Sequence, residues 1–159
     1  MKVVFDSNVY VSALAIPGGV AQQALELAME GAFHLALSRP ILEEVLGVLS
    51  RKFARAPEEL SRTALFLSSV AEVVKPARRV NLLADEPDNR VLECASAAGA
   101  SVIVTGDRQM LALGNWEGVE IQSLRRFVDS FASRGAVHQA QIGYRVARRP
   151  GRGAGRAHL

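Results

Sequence analysis

The chain has 159 residues, 49% hydrophobic and 22% charged, which suits one domain with a sizeable core and excludes a disordered polymer. No apolar stretch reaches the ~18 residues of a membrane span, no signal-peptide core precedes Asp6, and the single Cys94 excludes a disulfide framework or a cysteine-based zinc site; a cytoplasmic protein is expected. The formal net charge of +3 is unevenly spread: residues 1–134 hold 14 Lys and Arg against all 16 Asp and Glu, while residues 135–159 hold five arginines and no acid.

The expected elements follow in chain order. KVVFD (2–6) is a valine-rich buried strand. PGG (17–19) is a turn, and VAQQALELAMEG (20–31) has apolar residues at a helical period, closed by Gly31. FHLALS (33–38) is a second strand. Pro40 suits the first turn of a helix over 40–53, and Pro57 that of a helix over 57–70. AEVVKP (71–76) reads as a short strand, residues 86–99 as a helix ending at Gly99, and SVIVTG (101–106) as the next strand. A short helix over 107–113, a strand over 119–123 and a helix over 124–132 complete the series.

Short apolar strands alternating with helices indicate an α/β fold with a mainly parallel sheet. One domain is expected over 1–133. Residues 134–159, rich in Gly and Arg, form a flexible basic tail, read either as a contact for RNA phosphates or as an extension without a role.

In open α/β sheets ligands sit beyond the carboxyl ends of the strands. Asp6 and Asp107 each follow a buried strand and therefore face the same edge. Each also has a plain explanation, a turn residue for Asp6 and a helix cap for Asp107. In the 40–53 helix, Glu43 falls opposite the middle of the apolar stripe and Glu44 at its margin, beside Val48. Asp88 shares a face with Val91, Leu92 and Ala95, so it points towards the sheet, whereas Asp85 and Glu86 look solvent-facing.

Four acids on inward edges repel one another unless a divalent cation neutralises them. Oxygen-only ligands suit Mg2+ or Mn2+, which promote phosphodiester hydrolysis by activating water and stabilising charge on phosphate oxygens. The three histidines lack ligand spacing, and no phosphate loop, dinucleotide fingerprint or nucleophile elbow is present.

The segments MKVVFDSNVYVSAL, LSRPILEEVLGVLSRKF and DEPDNRVLECASAAGASVIVTGDRQMLAL, in this order and spacing, resemble the PIN-domain family, in particular its VapC-like toxins of toxin–antitoxin systems. The resemblance runs from residue 1 to about 132. It implies a three-layer α/β/α sandwich and a Mg2+- or Mn2+-dependent endoribonuclease. It carries the family's catalytic and metal-binding acids onto Asp6, Glu44, Asp88 and Asp107, and supporting polar roles onto Asn8 and Thr105. Ser7 stands where the family usually has threonine. Asp85 or Glu86 could replace or assist Asp88, although the helical face favours Asp88. An RNA substrate, a cognate antitoxin and a homodimer are the implied partners, with no membrane.

Three other readings compete with it. An aspartyl phosphotransferase would carry D-x-D after the first strand, where this chain has Asp6-Ser7-Asn8. A receiver-like module, binding metal without catalysis, would end a late strand in lysine, and VEIQS has none. A degenerate PIN domain would have lost some of the four acids.

Overall fold

The computed structural model describes residues 1–147, with side chains described to residue 135. Two compact units divide the chain, Met1–Val128 and Asp129–Leu159. In the first unit, six strands form one sheet: β1 (Lys2–Phe5), β2 (His34–Ser38), β3 (Ala71–Val74), β4 (Val102–Val104), β5 (Asn115–Trp116) and β6 (Val119–Gln122). Their order is β3-β2-β1-β4-β6-β5. Every pairing is parallel except that of the edge hairpin β5–β6.

The helices are α1 (Ser7–Ala15), α2 (Val20–Met29), α3 (Arg39–Phe53), α4 (Pro57–Val70), α5 (Glu86–Ala98), α6 (Arg108–Leu113) and α7 (Leu124–Ala147). Within the first unit they pack on the sheet as a three-layer α/β/α sandwich, the PIN-like architecture the resemblance implies. Pro40 and Pro57 lie in the first turns of α3 and α4, where their missing N–H costs nothing. Gly99 ends α5 at φ +63°, a left-handed conformation that favours a residue without Cβ.

Val3, Val4 and Phe5 of the central strand β1 are fully buried, as strands covered on both faces require. Phe5 anchors an aromatic cluster, with ring centroids 5.5 Å from Tyr10, 5.9 Å from Phe33 and 6.2 Å from Phe127. These offsets are typical of favourable ring packing.

Three elements depart from the sequence expectation. Helix α1 was not anticipated, because SNVYVSALA is apolar on almost every side and buries Ser7, Val9, Tyr10, Val11 and Ala13, which hides the 3.6-residue period. Strand β5 has only two residues and no alternation to detect. Helix α7 continues past residue 132 to Ala147. The rest of the expected tail, residues 148–159, lies outside the described residues.

The sheet places the site by its order. From β1 the chain moves outward through β2 to β3, then returns to lay β4 on the other side of β1. The order reverses between β1 and β4, and open α/β sheets bind ligands beyond the carboxyl ends of the strands at such a point. Phe5 and Val104 are register partners, so Asp6 and Thr105, the residues that follow them, emerge side by side.

Candidate active site

Asp6 lies just past β1, with its backbone N–H still bonded to the Val104 carbonyl at 3.0 Å. Its side chain is 4% exposed. Oδ2 accepts the Thr105 hydroxyl at 2.7 Å, and Oδ1 accepts the Asn8 N–H at 3.4 Å as the N-cap of α1. Burial raises the Asp6 pKa above its usual carboxylate value; the bonds from Thr105 and Asn8 oppose that shift and the charge of Asp107 adds to it. The side chain of Asn8 itself is exposed, so its observed part in the site is that backbone donation.

Thr105 is fully buried and joins two acids. Its hydroxyl donates to Asp6 and accepts the Asp107 N–H at 3.0 Å. Asp107 caps α6, its Oδ1 accepting the Met110 N–H at 2.9 Å. Both aspartates therefore play the structural roles their positions suggest, and both stand at the same sheet edge.

Asp88 enters from the first turn of α5 and is 5% exposed. Its Oδ2 is buried and has no hydrogen-bond partner among the described residues. Its pKa is pushed up to about 7, first by burial and then by the charges of Asp107, Asp6 and Asp85. Asp6, Asp88 and Asp107 thus act on one another electrostatically, as do Asp85 and Asp88. Asp85 and Glu86 are exposed, in keeping with the sequence reading.

Glu44 stands apart from these three. It is half-buried and lines a cleft of about 160 Å³ with Ser7, Pro40, Ile41, Glu86, Pro87 and Arg90. Ser7 follows Asp6 and Pro87 precedes Asp88 in sequence, so the cleft adjoins the segments that carry these carboxylates. Glu43 instead points to solvent and pairs with Arg39 at 2.9 Å.

An oxygen-only donor set with an orphaned, buried carboxylate oxygen fits a hard divalent cation. As the side chains stand, however, no group of three or more acidic, His or Cys residues among the described ones is close enough to hold an ion. Cys94 is fully buried and its thiol is pushed up to about 12, chiefly by burial, which leaves it no nucleophilic part.

Sequence reasoning missed three side chains of α5: Asn89, Arg90 and Glu93. They grip the loop 75–85 that leads into Asp85. The available signal was polarity on the inward side of a helix, since Asn89 and Glu93 are both buried.

A mostly parallel α/β sheet with carboxylates beyond the carboxyl ends of its strands defines the class of open α/β folds that bind their ligands at a switch point. Within that class the match is specific. Residues 2–109 match the PIN domain model, and the chain belongs to the PIN domain family. An uncharacterised protein of Methanocaldococcus jannaschii is 32% identical over 117 residues, covering 71% of this chain and 75% of the relative. A chain in the crystal structure of VapBC2 from Rickettsia felis, bound to a DNA fragment from their promoter, shares the fold with a TM-score of 0.57. It is 17% identical, and the match covers 77% of this chain and 98% of that one. PIN domains are in general nucleases that use divalent metals, so family membership supports a hydrolase acting on nucleic acid. Among the described residues no helix is long and apolar enough to cross a membrane.

Proposed function

We propose that this protein is a Mg2+- or Mn2+-dependent endoribonuclease, the toxin of a type II toxin–antitoxin pair, acting in the cytoplasm as a homodimer. The observation that carries the reading is the linkage of Asp6 and Asp107 through one buried Thr105 hydroxyl, with the charge of each acting on Asp88. Such a cluster is unfavourable in a metal-free protein and is understandable when it serves a cation. The likeness in fold to a VapBC2 chain supports the toxin role and an antitoxin partner.

Asp6, Asp88, Asp107 and Glu44 would hold the cation, which when bound supplies an activated water and screens phosphate charge. The chain's own contribution is orientation. Thr105 fixes the Asp6 carboxylate through Oδ2 and the start of α6 through the Asp107 N–H. The β1–β4 register keeps the backbones of both on rigid strand ends, so that only the carboxylates need turn inward to hold a cation. Asp88, pushed up to about 7, is only partly ionised near neutrality, and positive charge brought close would favour its ionised form.

The test is cleavage of total RNA by the wild-type chain and by Asp6→Asn, with Mg2+ or Mn2+ and with EDTA. Cleavage by the wild type that stops in EDTA, with none by Asp6→Asn, is the expected result. A thermal melt should show Asp6→Asn folded and no less stable, because asparagine keeps the shape and removes a repelled charge. Equal cutting by Asp6→Asn, or cutting that survives EDTA, sinks the mechanism.

A further inference from the structure

The segment between β3 and α5, residues 75–85, is pinned to α5 at successive points. Glu93 Oε1 accepts the Val80 N–H at 2.8 Å, and Arg90 Nη2 donates to the Val80 carbonyl at 3.1 Å. Arg90 is itself held to Glu93 at 3.1 Å. Asn89 Oδ1 accepts the N–H groups of Leu82 at 3.1 Å and Leu83 at 2.8 Å, while its Nδ2 donates to the Leu83 carbonyl at 2.8 Å. Further back, Arg78 meets both carboxylate oxygens of Glu117 at 2.8 Å and lies over the Trp116 ring, 5.2 Å from its centroid. This strap ends at Asp85, the N-cap position of α5.

Asn89 sits where two constraints meet. It follows Asp88 directly in the first turns of α5, and it holds the backbone two residues before Asp85. It is fully buried, and every bond it makes to the strap is to backbone. Burying an amide costs free energy that only matched partners offset, and an apolar residue would fill the space as well. Three matched backbone bonds specify a loop conformation, which packing alone does not.

We infer that Asn89 is a positioning residue, whose amide locks the Leu82–Leu83 backbone so that Asp85 is held beside Asp88 as an accessory carboxylate of the site. The inference rests on the nuclease reading above. Asn89 touches neither substrate nor cation; it acts through Asp85 and through the first turn that carries Asp88.

The experiment compares the full chain with Asn89→Ala, Asp85→Asn and the double variant. It measures kcat and KM on an RNA oligonucleotide with Mn2+, and the Mn2+ dissociation constant without RNA by calorimetry. Asn89→Ala is expected to lower kcat and weaken Mn2+ binding by roughly 10-fold to 100-fold, the usual effect of removing support behind a metal site, with KM little changed. Hydrogen exchange should show lost protection at the Leu82 and Leu83 amides. Asp85→Asn should move kcat and Mn2+ affinity in the same direction, and the double variant should be no worse than Asn89→Ala, because the two act as one unit. Full additivity in the double variant overturns the inference, and so does wild-type kcat and Mn2+ affinity in folded Asn89→Ala. If Asn89→Ala does not fold, the exposed Asp85→Asn decides: unchanged kcat and Mn2+ affinity reject the inference, and a loss in both upholds it. A wild type that neither cuts RNA nor binds Mn2+ overturns the nuclease reading and this inference with it; a wild type that does both, beside unaffected variants, overturns this inference alone.

Discussion

Thr105 donates its hydroxyl proton to Asp6 Oδ2 at 2.7 Å, across 99 positions of sequence. The Thr105 hydroxyl oxygen in turn accepts the Asp107 N–H at 3.0 Å. Thr105→Val keeps the shape and removes both bonds, leaving a buried carboxylate without its strongest donor. A loss of roughly 1–3 kcal/mol in stability is expected, read as a lower melting temperature, with cleavage reduced roughly tenfold. Thr105→Ser keeps the hydroxyl and should hold activity near wild type. Full cleavage by Thr105→Val would show that the hydroxyl does not orient Asp6.

Asp88 makes stability pH-dependent. Its folded pKa, about 7, lies above its ordinary value of 3.8. The folded state therefore binds the proton more tightly than the unfolded state, and stability falls as pH rises from about 4 to about 7, then levels. Asp88→Asn removes this slope. Melts in EDTA should show the variant gaining little on wild type near pH 4 and most above pH 7. Each kcal/mol gained shifts the midpoint by about 2–4 °C. A constant offset across the range would place the effect outside Asp88 ionisation.

Adjacent glutamates on α3 should behave differently. Glu43 is exposed and paired with Arg39, whereas Glu44 lines the cleft with Ser7 and Arg90. Glu43→Gln should cut RNA as wild type does, since exposed ion pairs contribute little. Glu44→Gln should lose at least tenfold in kcat, the order of a lost metal-site contact. Equal activity of the two variants would remove Glu44 from the site.

Helix α4 buries only Leu67, and Leu65 on it is 73% exposed. Phe53, Ile16 and Met29 are also large exposed apolar side chains. A homodimer covering part of this surface is expected, since exposed apolar groups gather at interfaces. Light scattering at micromolar concentration should give twice the 17.1 kDa chain mass, and Leu65→Glu should shift it towards the monomer. A monomer mass for the wild type rejects the dimer.

Some of this protein was determined by local sequence. Valine-rich runs ending in Asp6 and Asp107 marked strand ends, because apolar runs and their breaks are local signals. The spacing of Asp88 from Val91, Leu92 and Ala95 marked an inward face, and it is buried. The same helical arithmetic separated Glu44 from Glu43. Gly99 closed α5 through a backbone preference that belongs to one residue.

Other features belong to the tertiary structure alone. Nothing between residues 6 and 105 announces that β4 lies beside β1, yet that pairing puts Thr105 against Asp6. Helix α1 was hidden because burial on most sides erases periodicity. The Asn89 grip on Leu82 and Leu83 was hidden because its partners are backbone groups, which carry no sequence identity. Periodicity and capping are written in neighbouring residues, whereas strand order and buried hydrogen bonds arise when distant segments share one core, and that juxtaposition sets which carboxylates meet.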